Sequence, residues 1–130
     1  MVYEDNMHLN ELSDALTSVQ DSMTDYLNAK TSDSLEEFYR NEQTYTEMVE
    51  GLNDKIAGTA FLRMERSIRH MSREYLDVVG QTIEAKRGRN VEKYRVRYEN
   101  ATQMYGYIDT YINSLNNERF RNNSENYSRL

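Results

Sequence analysis

The sequence predicts an all-α protein, an antiparallel up-down-up-down four-helix bundle. Three observations predict it. From Val91 to Leu115, apolar or aromatic residues fall at Val91, Tyr94, Tyr98, Ala101, Tyr105, Ile108, Ile112 and Leu115, in steps of three and four without a miss. On a helix those positions make one stripe, and no helix buries a stripe alone. There is no proline and there are only five glycines, so nothing interrupts long helices. Three earlier stretches repeat the same spacing with short turns between them, which sets sequential neighbours antiparallel.

The first helix is expected over about 5–28, where Leu9, Leu12, Leu16, Val19, Met23 and Tyr26 repeat at three and four. Glu4, Asp5 and Glu11 sit early, where the helix dipole favours acids. A turn comes next at Lys30-Thr31-Ser32, and Asp33 with Glu36 three residues later reads as an Asp version of the capping box.

The second helix is expected over about 34–53. Its seam is Leu35, Phe38, Glu42, Tyr45, Val49, Leu52 and Ile56. Glu42 is the odd member. Either the helix rotates and Glu42 reaches solvent, or it is a buried carboxylate paired with an arginine. The end of this helix falls between Leu52 and Gly58. Gly51 and Gly58 are both terminator candidates, with Asn53, Asp54 and Thr59 as caps for the third helix.

The third helix is expected over about 60–86, its inner face made by Phe61, Met64, Ile68, Met71, Tyr75, Val78 or Val79, and Ile83. Gly88 suits a left-handed stop, Lys86 and Arg87 suit the negative dipole end, and Asn90 caps the next helix. The fourth helix is the 91–115 stripe. The pattern breaks at Asn116-Asn117, so 116–130 reads as a separate tail in which Phe120 folds back. Asn122, Asn123 and Ser124 there cap a new turn with Tyr127 and Leu130.

Composition bounds the chemistry. At 130 residues the chain is one domain with room for a core. Eleven tyrosines against three phenylalanines predict a core with a polar rim. No cysteine means no disulfide framework and no thiolate site. No apolar run approaches the roughly 20 residues of a membrane helix. Residues 1–57 hold 13 acids and 3 bases, whereas 58–130 hold 9 acids and 13 bases. The two halves are therefore complementary in charge. Nucleic-acid binding is disfavoured, because the acidic half repels phosphates and no reading motif is present.

Sites are few. The two histidines, His8 and His70, lack the Glu-x-x-His pairing of a di-iron bundle and the spacing of a zinc site. His70 reads as a surface or interhelical residue. No Gly-x-Ser-x-Gly, Walker loop or dinucleotide fingerprint occurs. The sequence thus offers no catalytic residue, no metal ligand and no cofactor site. Two basic groups remain. Arg63, Arg66, Arg69 and Arg73 recur along the third helix, as an edge facing the acidic helices or as a carboxylate clamp. Lys86, Arg87 and Arg89 share a turn, and in an antiparallel bundle Lys30 and Lys93 lie at the same end. That end is electropositive. It reads as dipole compensation or as a site for a ligand or partner, with Lys30, Lys86, Arg87, Arg89 and Lys93 as its residues.

Two stretches carry a resemblance. One is Ala85-Lys86-Arg87-Gly88-Arg89-Asn90, with Tyr94 and Tyr98 after it. The other is Tyr107-Ile108-x-x-Tyr111-Ile112-x-x-Leu115-Asn116-x-x-x-Phe120-x-x-Asn123-Ser124-x-x-Tyr127-x-x-Leu130. With Tyr26-Leu27 and Ser34-Leu35-x-x-Phe38-Tyr39, these resemble the extracytoplasmic sensor region of YesM-like sensor histidine kinases from Gram-positive, clostridia-type bacteria. The resemblance implies a signal-sensing domain between two membrane helices, outside the plasma membrane. It further implies a kinase elsewhere in the parent protein, a small-molecule or protein signal, and a homodimeric receptor. This chain contains no kinase parts, so it is itself no enzyme, and membranes enter only through flanking segments. The distal turns then point away from the membrane. The competing reading is a free-standing helical-bundle interaction module, an adaptor.

Overall fold

A computed structural model describes the backbone of residues 2–52 and 62–128, and the side chains of 9–52 and 64–117. Among the described residues there are four long helices and no strand: α1 Val2–Ala29, α2 Ser32–Glu50, α3 Leu62–Arg87 and α4 Val91–Ser128. They form the expected four-helix bundle. None is long and apolar enough to cross a membrane.

The apolar repeat of α1 is the spine. Leu9, Leu12, Leu16, Val19 and Met23 have no exposed surface. Each contributes about 1.5–3 kcal/mol on burial. Around them lie Phe38, Tyr45, Val49 and Leu52, then Ile68, Tyr75, Val79 and Ile83, then Ala101, Ile108, Ile112 and Leu115. The helices pair as two hairpins, α1 with α2 and α3 with α4, joined chiefly along α1 and α4. The α2–α3 side is packed much more sparsely, leaving that flank open.

Several boundaries differ from the sequence reading, each for a local reason. The α2 cap is Thr31, not Asp33. The Thr31 hydroxyl accepts from Ser34 N at 3.1 Å and the Ser34 hydroxyl accepts from Thr31 N at 3.1 Å, a capping box made of two hydroxyls. Asp33 sits inside the first turn instead. α2 ends at Glu50, before the expected range: Gly51 still donates to Glu47 O at 3.1 Å, but its backbone opens to φ −87°, ψ 2° and it is the C-cap. Asn53, Asp54, Ile56, Gly58, Thr59 and Phe61 lie outside the described residues.

α4 shows no break at Asn116-Asn117 and runs on to Ser128. Asn116 donates to Asn10 Oδ1 at 2.9 Å. A tertiary bond of that kind outweighs the few tenths of a kcal/mol by which asparagine disfavours a helix. The side chains of Phe120, Asn122, Asn123, Ser124, Tyr127 and Leu130 lie outside the described set. The stripe of α4 is also not uniform. Val91 is 51% exposed, and burial becomes complete only from Ala101 onward. Near the end formed by the α1–α2 and α3–α4 turns Tyr94 and Tyr98 are half-buried, as a tyrosine-rich rim predicts.

Two tyrosines depart from the rim expectation. Tyr45 and Tyr75 are wholly buried. Their hydroxyls are met inside the core, Tyr45 by Ser72 at 2.6 Å and Tyr75 by Gln20 Oε1 at 2.7 Å. Burial pushes the Tyr45 hydroxyl up to about 12, against a smaller lowering from Ser72. Burial likewise raises Tyr75, helped by the neighbouring Tyr45, Tyr105, Asp21 and Tyr98.

Candidate functional site at the distal turns

The α1–α2 and α3–α4 turns sit at the same end of the bundle. At the first, Lys30 N donates to Tyr26 O at 2.8 Å and Lys30 takes a left-handed backbone, φ 50°. At the second, Asn90 N donates to Ala85 O at 2.8 Å and Arg89 N to Lys86 O at 3.1 Å. This is the paired closure of a Schellman stop, with Arg89 at the left-handed position, φ 60°. Residue type alone assigns that position to Gly88; glycine instead occupies the residue before it. Both left-handed positions therefore carry a basic side chain where glycine would sit without strain, at about 1 kcal/mol or more each.

Asn90 caps α4 as expected, its Oδ1 accepting from Lys93 N at 3.2 Å. Lys86 Nζ lies 4.8 Å from the centre of the Tyr94 ring, a cation–π contact. Arg87 Nη1 donates to the Tyr39 hydroxyl at 3.4 Å, tying the end of α3 to α2. Lys30, Arg87, Arg89 and Lys93 are exposed and Lys86 is half-buried. Lys86, Arg87, Arg89 and Lys93 thus share one turn and its flanks, while Lys30 stands on the neighbouring turn. Acids flank them: Asp33 and Glu92 in the first turns of α2 and α4, and Glu84 one turn before the end of α3.

The open α2–α3 flank holds a groove of about 370 Å³ below these turns, lined by Phe38, Tyr39, Glu42, Asp77, Gly80 and Lys93 among others. Glu42 is half-buried, and burial raises its pKa above the ordinary carboxylate value. No arginine pairs with it among the described residues, so the rotated, partly solvated reading is the one realised.

The arginine row on α3 meets α2 at the opposite end. Arg73 reaches both Glu50 oxygens at 3.2 and 3.3 Å, and Arg69 donates to Glu50 O at 3.3 Å. These bonds are exposed and knit the edges of two helices; Arg66 is exposed. His70 lies on the surface, 3.3 Å from Glu74. The side chains of His8 and Arg63 are outside the described set. Among the described residues no group of three or more His, Cys, Asp or Glu is arranged to hold a metal ion.

One constellation escaped the sequence reading. Polar side chains of α1 bond polar side chains of α4 down the whole seam. Ser13 donates to Asp109 at 2.9 Å, Thr17 meets the Tyr105 hydroxyl at 2.9 Å, Gln20 donates to Thr102 at 3.0 Å, and Thr24 meets the Tyr98 hydroxyl at 3.0 Å. Asn10 and Asn116 close the lower end. The signal was present: Asn10, Ser13, Thr17, Gln20 and Thr24 repeat at three and four beside the leucine stripe.

No family model and no curated protein matches the chain. A solved structure does: a chain of the "XylFII-LytSN complex" superposes with a TM-score of 0.83 at 16% sequence identity, covering 92% of this chain and 98% of that one. That likeness establishes the four-helix fold.

Proposed function

We propose that this chain is the extracellular sensing domain of a YesM-like two-component sensor histidine kinase in the plasma membrane of a Gram-positive bacterium. A stimulus received at the distal turns shifts α1 relative to α4, and the ends of those helices hand the shift to the kinase. The reaction chemistry belongs to the parent kinase; this domain contributes binding and movement.

The observation that carries the reading is the strained pair of basic residues. Lys30 and Arg89 hold left-handed backbone at both turns of one end, where glycine would be more stable. Strain of that kind collects at working sites. Beside them Lys86, Arg87 and Lys93 complete a basic tip suited to an anionic ligand or to an acidic surface of a partner protein. The fold adds support. It is shared with a chain of the XylFII-LytSN complex, an assembly of more than one component.

The test is Arg87→Glu with Arg89→Glu in the intact receptor. Autophosphorylation in membrane vesicles is read with and without spent culture medium as the source of stimulus. Loss of the response with unchanged basal phosphorylation is expected. A response equal to the unaltered receptor's would show that the tip is not the sensing site.

A further inference from the structure

We propose that the polar α1–α4 seam is a two-position register device. The α3–α4 hairpin slides one helical turn, about 5.4 Å, along the α1–α2 hairpin, and the seam re-pairs in the new position. The proposal rests on the sensing reading above and names the residues that would carry its movement.

The seam repeats itself. Four rungs pair Ser13 with Asp109, Thr17 with Tyr105, Gln20 with Thr102 and Thr24 with Tyr98. Each step of three or four along α1 is matched by the same step back along α4. Moving α4 one turn toward the distal end puts Asp109 beside Thr17, Tyr105 beside Gln20 and Thr102 beside Thr24. Every new neighbour is again a hydroxyl, amide or carboxylate able to bond. An aliphatic seam would have no such second set of directional partners.

One exposed bond at the lower end is a turn out of step with the rungs above it. Strict alternation places Ile112 opposite Asn10. Asn10 instead bonds Asn116, one turn farther along α4, at 2.9 Å. That is the pairing the slide would give to the whole seam. Packing is denser within each hairpin than between them, and between them it is concentrated on the α1–α4 face along which the slide would run.

Three buried features hold the observed position, the first being the Tyr75–Gln20 bond at 2.7 Å, which ties α3 to α1 and which the slide would break. Ala101 is the small member of the buried α4 stripe, and the slide would bring Met104 or Tyr105 toward its place. The Tyr45–Ser72 bond at 2.6 Å crosses between the hairpins. After the slide Tyr45 would face Ile68, which offers no partner. Tyr45 and Ser72 therefore act as a latch, and Ala101 as a stop.

The test uses paired cysteines in the purified 130-residue chain, which has none of its own. Ser13→Cys with Asp109→Cys, whose short side chains already meet at 2.9 Å, reports the observed register. Thr17→Cys with Asp109→Cys, and separately Thr24→Cys with Thr102→Cys, report the slid one. Thr24→Cys with Tyr105→Cys, two turns out, is the control for local opening. A disulfide forms only when the Cα atoms come within roughly 7 Å. Helical circular dichroism verifies that each variant is folded. The slid pairs should close roughly 10- to 1,000-fold slower than the observed pair, as for a minor state, and well ahead of the control. Adding Tyr45→Phe should raise the slid-pair rate several-fold. Slid pairs no faster than the control, or rates that Tyr45→Phe leaves unchanged, would overturn the proposal. The assay reads register alone. A chain that slides while its intact receptor ignores the slide would sink the sensing reading and leave this one standing.

Discussion

Replacing Gln20 by leucine isolates the most connected rung. Gln20 is only 7% exposed; its Nε2 donates to Thr102 and its Oε1 accepts from Tyr75. Leucine has nearly the same volume, so the change adds little cavity or crowding. What it removes is the partner of a hydroxyl with no exposed surface. Leaving such a group unsatisfied costs about 1–3 kcal/mol, and the lost Thr102 bond adds up to about 1. The apolar side chain returns part of this, so a net loss of about 2 kcal/mol is expected. Tyr75→Phe alone strands the amide oxygen and costs about 1–2 kcal/mol. With both changes neither group is stranded, and the double variant should be at least about 1 kcal/mol more stable than the summed losses imply. Urea unfolding monitored by circular dichroism supplies all four corners of the cycle. A coupling within about 0.3 kcal/mol of zero would mean that the buried bond does not organise the seam.

Arg89→Gly should raise stability by about 1 kcal/mol by relieving the left-handed backbone, measured by the same unfolding curves; unchanged or lower stability would contradict the strain argument. Alkaline unfolding should steepen above pH 10. Tyr45 and Tyr75 keep their protons longer in the folded than in the unfolded chain. Stability therefore falls as pH rises from the unfolded value through the raised one, by about 1.4 kcal/mol per pH unit for each tyrosine. Tyr45→Phe should lessen that slope between pH 10 and 12. Glu42 works in the same direction at acid pH: its raised folded value means stability is lost as pH climbs from the ordinary glutamate value of 4.5. Glu42→Gln should remove that slope and stabilise the bundle at pH 7, by less than about 1 kcal/mol because half the group remains in water.

The helices and the core were legible because a three-four repeat of Leu, Ile, Val and Tyr admits one solution, a shared interior. Boundaries were less so. Thr31 displaced Asp33 because any nearby hydroxyl can serve as a cap, and Ser34 rewarded this one. Asn116 continued the helix because Asn10 lay across the seam, a partner more than a hundred residues away in sequence. The basic turns could be placed at one end from topology alone. That Lys30 and Arg89 occupy left-handed positions could not, since Gly88 was the better local choice by residue type. The α1–α4 rungs were hidden for a different reason. Serine, threonine and glutamine beside an apolar stripe read as solvent-facing until the tyrosines of the opposite helix are placed against them.

Signalling by this route depends on α1 and α4 moving against each other. Ser13→Cys with Asp109→Cys in the intact receptor tests that most directly, by comparing autophosphorylation in membrane vesicles before and after the disulfide is reduced. Locked receptors should ignore stimulus and regain their response on reduction. A full response with the disulfide closed would contradict the proposed movement.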